Sequence, residues 1–368
     1  MPGVTDTAKT APRQERAKAQ TTMQARRKTA IEWPTLGLGF IIYGGFGLLT
    51  WHYHSLPWWL GAAIGIYLIA WHGSLQHEVT HGHPTAWRRV NEAFVFPSLW
   101  LWIPYGLYRS AHLKHHCDAR LTDPLEDPES YYLTPRQWAE AGRAARILYL
   151  VNNSFLGRLL FGPAICIWRL YKNEALQLIR GDGRNLGTWG LHALSCVAVL
   201  CWVVAVCQIP LTTYLVLFVY PAVSLSLVRS FAEHRAHPDV EQRSVIVESR
   251  GPMALLFLNN NLHALHHAEP ALPWYQLPAR FKARRSELLT ANGGYRFSGY
   301  GEIMLRYMLW PKEHVRHPFG RALTARAPKV AAPAPAAART LRPNTTLEPV
   351  TLESATLEAT ALKPVSAA

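Results

Sequence analysis

Three short histidine-rich motifs constrain this chain more than any other feature of its sequence. The first is HEVTHGH, beginning at His77; the second and third are HLKHH and HALHH, beginning at His112 and His263. Residues four apart on a helix share a face, so each motif can present several rings within one helical turn. The candidate metal ligands in the three motifs are His77, His81, His112, His115, His116, His263, His266 and His267. Eight imidazoles are too many for one tetrahedral zinc, and they favour two metal ions, with iron a compatible element.

Long apolar stretches lie around the histidine motifs and predict a membrane protein. Apolar residues make up 49% of the chain and charged residues 17%, and about 20 apolar residues cross a bilayer as a helix. Four stretches approach that length: Thr35 to Trp51, Trp58 to Gln76, Thr188 to Val206 and Leu211 to Val228. Short linkers join the first two and the last two. The sequence therefore predicts an all-α integral membrane protein with four transmembrane helices in two hairpins.

Two further apolar stretches are too short or too polar to cross a bilayer. The stretch from Phe94 to Tyr108 contains Pro97 and Pro104, and a single crossing there would separate the first two motifs. The stretch from Leu148 to Leu170 contains two asparagines and Arg158. We therefore predict re-entrant or interfacial helices at both places, with a cytoplasmic helical cap that carries the histidine motifs.

The distribution of basic residues predicts the orientation of the chain. The formal net charge is +14, and Lys and Arg are concentrated in the termini and beside the apolar stretches. That pattern is typical of the positive-inside rule, and no basic domain of the kind that binds nucleic acid is present. We expect a multi-pass protein of a bacterial inner membrane, with both termini and the histidine motifs cytoplasmic and no nucleic-acid partner.

The ends of the chain differ in composition from its middle. Residues 1–32 are basic and polar, and they predict a cytoplasmic N-terminal tail. Residues 327–368 are rich in Ala, Pro and Thr, and such a composition predicts a disordered tail because it cannot bury a core. The folded membrane domain is expected over residues 33–320.

The first motif also has a competing interpretation. HExxH on a helix is typical of zinc proteases, and it would place a zinc-dependent membrane hydrolase or a receptor-like bundle among the alternatives. That alternative predicts one zinc and a single further ligand. The two HxxHH motifs contradict it, because they supply six more imidazoles.

Taken together, the three motifs resemble the histidine boxes of the membrane fatty acid desaturase superfamily, over roughly Trp33 to Phe319. The resemblance implies a desaturase-like domain, a non-heme centre of two Fe ions held by the boxes, and O2 as co-substrate. It also implies a ninth ligand between the fourth apolar stretch and the third box. In this chain His234 occupies that position.

The resemblance further implies the class of reaction and the partners. The expected substrate is a lipid or fatty acyl chain in the bilayer, and the expected product has a new C=C bond. Hydroxylation, oxidative decarboxylation to a terminal alkene, and desaturation of a small amino-acid-derived substrate remain open, because substrate positioning decides among them. No fused heme motif is apparent, so a separate donor of the ferredoxin, rubredoxin or cytochrome type is expected, and an acidic donor would be attracted to the basic face.

Other polar residues near the boxes have supporting roles in this interpretation. Glu78 and Glu233 each neighbour a predicted ligand and are expected to orient its ring. One of Asn259–Asn261 is expected to hold a metal-bound water, and His72 and His83 are expected to be structural or ring-orienting. The acids after the second box could pair with loop arginines, orient ligand rings or receive a basic redox partner, and a loop role is preferred. They are Asp118, Asp123, Glu126, Asp127 and Glu129. No catalytic role is predicted for His52, His54, His192, His314 and His317.

Overall fold

The computed structural model describes residues 31–116 and 120–319. The predicted tail over 327–368 and Asp118 lie outside these residues, as does the predicted tail over 1–32 apart from its last two residues. Within the described residues the fold is mostly helical. In chain order the helices are α1 Trp33–Trp51, α2 Trp58–Thr80, α3 Arg88–Phe94, α4 Tyr105–His115, α5 Pro135–Glu140, α6 Arg143–Asn152, α7 Phe155–Ile179, α8 Leu186–Val206, α9 Leu211–Glu233, α10 Pro252–Leu256, α11 His263–Ala268, α12 Leu277–Ala291 and α13 Tyr300–Tyr307.

Three of these helices are long and apolar enough to cross a membrane: α1, α8 and α9. Helices α6 and α7 are bent by 117° relative to each other, and they add a fourth candidate if they are counted as one broken span. The predicted second span forms most of α2. Every residue from Leu68 to Thr80 in that helix is buried, including polar ones. These polar residues lower the mean hydropathy of α2 below that of α1, α8 and α9. Three to four candidate spans agree with a membrane protein, and the four-span topology stays a prediction.

The segment between α3 and α4 does not form a membrane-length helix, as the prolines predict. Its backbone is largely buried, so its carbonyl groups need partners other than water. Side chains from α1, α2, α8 and α9 supply them. The pairs are Tyr43 with Pro97, Gln76 with Val95, Ser195 with Phe96, Tyr214 with Leu99 and His192 with Leu101. These contacts anchor an irregular segment inside the bundle, directly before the helix that carries the second box.

A small sheet departs from the all-α prediction. Strands β1 Ile246–Val247 and β2 Arg296–Phe297 pair in parallel, with Ile246 opposite Arg296. Two-residue strands carry no periodic signal long enough to be recognised in a sequence. The sheet ties the chain after α9 to the chain after α12, and α11 with the third box packs against β1.

The bend between α6 and α7 depends on one glycine. Ser154 caps α7 by accepting a hydrogen bond from the amide of Gly157 at 3.1 Å. A Cβ at Gly157 would lie only 1.8 Å from the carbonyl oxygen of Val151. The bend therefore requires a residue without a side chain at this position.

Replacing Gly157 with alanine is expected to lower the thermal unfolding midpoint, with a cost of about 1–3 kcal/mol for displacing the backbone of α6. Gly187→Ala in α8 is the matched control, because a Cβ there meets nothing within 4 Å and alanine favours a helix over glycine. Thermal unfolding in detergent measures both variants. Equal midpoints for the two would contradict this account of the bend.

The C-terminal ends of three helices lie at the candidate ligands. The C-cap residues of α2, α4 and α9 are His81 of the first box, His116 of the second box and His234. The third box lies on α11. The C-terminal ends of helices carry a partial negative charge, so three of them meeting at one point favour cations there.

Candidate metal centre

The nine histidines singled out in the sequence lie together in two adjoining groups. The first group contains five of them: His77, His81, His112, His116 and His266. The Nε2 atom of His112 lies 3.1 Å from the Nε2 atoms of both His81 and His116. The Nε2 atom of His266 lies 3.1 Å from that of His116. Five ring nitrogens from three boxes therefore converge on one point.

The second group contains the remaining four histidines: His115, His234, His263 and His267. The Nε2 atom of His234 lies 3.0 Å from that of His115 and 2.9 Å from that of His263. The Nε2 atom of His267 lies 3.2 Å from that of His263. His234, which lies outside the three boxes, is therefore at the middle of the second group.

Helix geometry explains why each HxxHH box contributes to both groups. In the second box His112 and His116 belong to the first group and His115 to the second. In the third box the assignment is reversed, because His263 and His267 belong to the second group and His266 to the first. Side chains four apart lie on nearly one line along a helix, whereas the side chain three apart projects to the other side of that line. One turn can thus serve two neighbouring sites.

Two acids after the second box contact its histidines directly. Glu129 Oε1 lies 2.9 Å from His112 Nδ1, and Asp127 Oδ1 lies 2.9 Å from His115 Nδ1. The sequence-based preference for a simple loop role was therefore wrong for Glu129 and Asp127. A carboxylate on Nδ1 leaves Nε2 as the acceptor nitrogen and fixes the ring orientation. Nε2, on the opposite edge of the ring, faces the histidine group and can bind a cation there.

Two of the other acids, Asp123 and Glu126, make loop contacts as predicted, and Asp118 lies outside the described residues. Asp123 accepts hydrogen bonds from the amides of Leu125 and Glu126 and shapes the turn. The side chain of Glu126 pairs with Arg120 at 3.1 Å near the surface. Position in the sequence does not distinguish these acids from Asp127 and Glu129, because all of them lie within one short loop.

Among the three consecutive asparagines, Asn260 is the one that contacts the histidines. Its Oδ1 lies 3.1 Å from His263 Nδ1, and its Nδ2 lies 3.3 Å from His77 Nε2. Asn260 thus connects a ring of each group. Glu233 Oε1 pairs with Arg229 at 3.0 Å and lies 3.3 Å from His263 Nδ1. The ring that it approaches therefore belongs to His263, whereas the sequence suggested that of its neighbour His234.

Glu78 and His83 belong to a separate buried cluster with Glu32. The Nδ1 atom of His83 lies 2.7 Å from the carboxylate of Glu32, and its Nε2 lies 3.6 Å from Glu78 Oε1. Glu78 also accepts a hydrogen bond from the backbone amide of Trp274 at 2.9 Å. These contacts join the start of α1, the end of α2 and the chain after the third box. Glu32, which sequence reasoning missed, has no motif signal of its own.

The remaining histidines lie outside both groups. His72 is buried inside α2, where its ring packs at 6.2 Å from that of Trp100. The five histidines without a predicted catalytic role, His52, His54, His192, His314 and His317, are likewise absent from the two groups.

Burial and neighbouring charges keep most of these rings neutral. Burial, reinforced by neighbouring histidines, holds the pKa values of His81, His234 and His263 well below the ordinary value. His115 differs: burial lowers its pKa, but Glu129 and Asp127 outweigh burial and raise the pKa to about 9. Neutral imidazole is the form that binds a metal, so the groups are already prepared for a cation.

The donor set fits a pair of metal ions. Within each group one ligand atom from every residue lies within 4.8 Å of all the others. A neutral imidazole has one N–H and one acceptor nitrogen, so several acceptor nitrogens directed at one point cannot satisfy each other. One cation at each point satisfies them together. Five imidazoles exceed the coordination of tetrahedral zinc, whereas imidazole ligands also suit iron.

Comparison with known proteins agrees with this geometry. A family model described as fatty acid desaturase matches residues 53–299. The chain belongs to the fatty acid desaturase family. The family implies an oxidoreductase that uses iron, and the matched residues include all nine histidines of the two groups. No curated protein sequence matches the chain at a significant level.

In this desaturase-family chain, Glu129→Gln is expected to weaken metal binding by about 10- to 100-fold, because it removes the charge that orients His112. Glu126→Gln in the same loop is the control, since its carboxylate pairs with Arg120 and contacts neither group. Metal titration of the two purified variants measures the difference. Equal affinities would show that Glu129 does not act on the site.

Proposed function

We propose that the chain is an O2-dependent membrane oxidase that uses two non-heme irons to introduce a C=C bond into a fatty acyl chain. The observation that supports it most is the division of nine imidazoles into two adjoining groups of five and four. The rings of His116 and His267, one from each group, stack with centroids 4.3 Å apart. Two metals held by these groups would be close neighbours, and all nine histidines act as their ligands in this proposal.

The irons, when bound, supply the oxidising power needed to remove hydrogen from an unactivated methylene. The residues of this chain do the rest. Asp127, Glu129 and Asn260 hold the rings in orientation, and the burial of most of the nine rings excludes bulk water from the reacting atoms. The substrate chain is expected to reach the site from the bilayer between the helices.

The proposed topology has four spans in two hairpins, α1 with α2 and α8 with α9. Residues 33–320 form the catalytic domain, and both termini and the metal centre lie on the cytoplasmic side of a bacterial inner membrane. The common meeting point of the C-terminal ends of α2, α4 and α9 supports this arrangement. If the chain crossed the membrane an odd number of times between two of these ends, they would lie on opposite sides of the bilayer.

Electrons come from a separate donor of the ferredoxin, rubredoxin or cytochrome type in this proposal. The surface on and beside α12 carries more cations than acids, and this excess supports an acidic donor. The cations are Arg280, Lys282, Arg284, Arg285 and Arg296, and the acids that pair with the arginines are Glu248, Glu269 and Glu287. Opposite charges on the two surfaces would accelerate their encounter, and the acceleration would fall with ionic strength.

Metal analysis tests the proposed centre. Protein purified in detergent is expected to contain about two irons per chain, because the two groups offer more imidazoles than zinc takes as a tetrahedral ion. Elemental analysis by mass spectrometry measures the content. One tightly bound zinc and no consumption of O2 would instead support the zinc-dependent hydrolase and end the oxidase proposal.

Product analysis tests the reaction. Expression in a host with a profiled lipid extract is expected to yield new unsaturated acyl chains. Hydroxy acids would indicate hydroxylation, volatile alkenes in the headspace would indicate oxidative decarboxylation, and an unchanged lipid extract with a desaturated small metabolite would indicate an amino-acid-derived substrate. A host expressing the His266→Ala variant is the matched control, because any product that depends on the centre disappears with it.

A further inference from the structure

The chain after α13 returns to the metal centre. Residues 311–319, called the C-terminal strap here, lie beyond residues 53–299 that match the family. The amide of Lys312 donates to the carbonyl of Asn153 at 2.8 Å. The amide of Leu133 donates to the carbonyl of Val315 at 2.8 Å, and the amide of His317 donates to the carbonyl of Leu133 at 2.9 Å. The strap is therefore bonded to the loop that carries Asp127 and Glu129.

Lys312 extends from the strap to the backbone of a predicted ligand. Its Nζ donates a hydrogen bond to the carbonyl oxygen of His234 at 2.5 Å, and the side chain is only 4% exposed. The Tyr131 hydroxyl lies 3.2 Å from the same oxygen and donates to Glu313 Oε1 at 2.5 Å. Glu313 Oε1 also pairs with Lys312 at 3.1 Å. One oxygen of His234 thus has a charged donor and a hydroxyl beside it.

The position of His234 makes this contact consequential. Helix α9 ends at Glu233, and His234 is already extended, with φ −130° and ψ 152°. No helical hydrogen bond of α9 holds its carbonyl. Its ring nevertheless lies between those of His115 and His263, at 3.0 and 2.9 Å between Nε2 atoms. The amide of Arg235, on the same peptide plane, donates to the carbonyl of Arg243 at 3.0 Å. Lys312 holds the opposite edge of that plane, so removing its bond would let the peptide and the attached ring rotate.

A buried lysine is costly unless it is paired. Burial lowers the pKa of Lys312, and Glu313 opposes that effect. Two cations approach the ring of Tyr131, Arg158 at 5.3 Å and Lys312 at 5.4 Å from its centroid. An apolar side chain would fill this space at less cost, but it could not donate to the carbonyl of His234 as the ammonium does.

We propose that Lys312 is a positioning residue for His234, and that through this bond the C-terminal strap determines whether the second group holds its metal. The inference rests on the proposed two-metal centre and adds a residue to it. It assigns a role to a segment that the family match does not include. The first group makes no contact with Lys312 and serves as an internal reference.

Lys312→Met tests the inference, because it keeps the apolar stem and removes the donor. The full-length variant is expected to retain about one metal per chain where the unaltered protein retains two, with the affinity of the second site for Co²⁺ reduced about 10- to 100-fold. Lys312→Arg keeps a charged donor and is expected to restore most of that affinity. Lys172→Met, on an exposed position of α7, is the control and should bind two metals.

The outcomes separate this inference from the function it rests on. If the unaltered protein does not bind two metals, the proposed function fails. If the unaltered protein binds two and Lys312→Met also binds two with the same affinities, the positioning role of Lys312 is overturned. Should Lys312→Met lower the expression of folded protein, the double variant Lys312→Met/Glu313→Gln removes the unpaired carboxylate as well. One metal in that variant supports the inference, and two metals refute it.

Discussion

Replacing His266 with alanine is expected to abolish turnover and to remove the metal of the first group, while the chain still inserts into the membrane. His266 is 3% exposed and its Nε2 lies 3.1 Å from that of His116. No neighbouring side chain can replace a ring at that position. The metal of the second group should be retained, because His115, His234, His263 and His267 are unchanged. Product formation and metal content per chain measure the two effects.

Replacing His115 with alanine is the complementary experiment. Turnover should again be lost, and the missing metal should now be that of the second group, since His115 Nε2 contacts His234. His52→Ala is the control for both, because His52 is exposed at the C-terminal end of α1 and belongs to neither group. Retained turnover in either variant would remove that histidine from the set of ligands. If each of the two variants lost both metals, the two groups would not bind their metals independently.

Removing the metals is expected to make the folded protein unusually sensitive to acid. Burial and neighbouring histidines hold the pKa values of His81, His234, His263 and His266 far below 6.5 in the metal-free fold. In the unfolded chain the same rings titrate near 6.5. As the pH falls through that value, the unfolded state takes up more protons than the folded state. The free energy of unfolding then falls by about 1.4 kcal/mol per pH unit for each such ring.

His115 affects the pH dependence of stability in the opposite direction. Its pKa is raised to about 9 in the fold, so its contribution to stability is present below 6.5 and is lost as the pH rises through 9. One ring does not offset the several whose pKa values are lowered, and acidification therefore destabilises the metal-free protein. In the metal-loaded protein the ions keep the rings neutral, and the thermal midpoint should stay nearly constant until the metals leave.

Thermal unfolding of chelator-treated protein between about pH 7.5 and 5.5 measures this dependence. His266→Gln should make the slope shallower by about one proton, because it removes one of the titrating rings. Gly187→Ala should leave the slope unchanged, because neither side chain binds a proton and a Cβ there meets nothing within 4 Å. A metal-free protein whose midpoint is the same at both pH values would contradict the account of neutral, buried rings.

Periodicity and spacing were enough to predict much of the site. The HxxxH and HxxHH patterns placed ring nitrogens on single helical turns, and the structure brings those eight rings and His234 together. The proline-containing segment before α4 was predicted not to cross, and its carbonyls are bonded to side chains of four helices. Both predictions depend on interactions within a turn or within a short segment, which sequence spacing determines directly.

The supporting residues were harder to predict. Glu129 and Glu126 are three residues apart in one loop, yet one contacts His112 and the other contacts Arg120. Similarly, Asn260 contacts two histidines while its neighbours Asn259 and Asn261 bond to backbone carbonyls. The side of the chain on which each residue lies depends on turn geometry, and the sequence contains no periodic signal for it.

The sequence by itself determined the candidate ligands of this protein: eight imidazoles at helical spacing, in a chain with apolar stretches of membrane-spanning length. Only the tertiary structure decided how those imidazoles are shared. The meeting of all three boxes in the first group, the central place of His234 in the second and its bond to Lys312 all join residues far apart in the chain. Such contacts are set by the packing of whole helices and by the path of the loops between them, and local spacing has no influence on either.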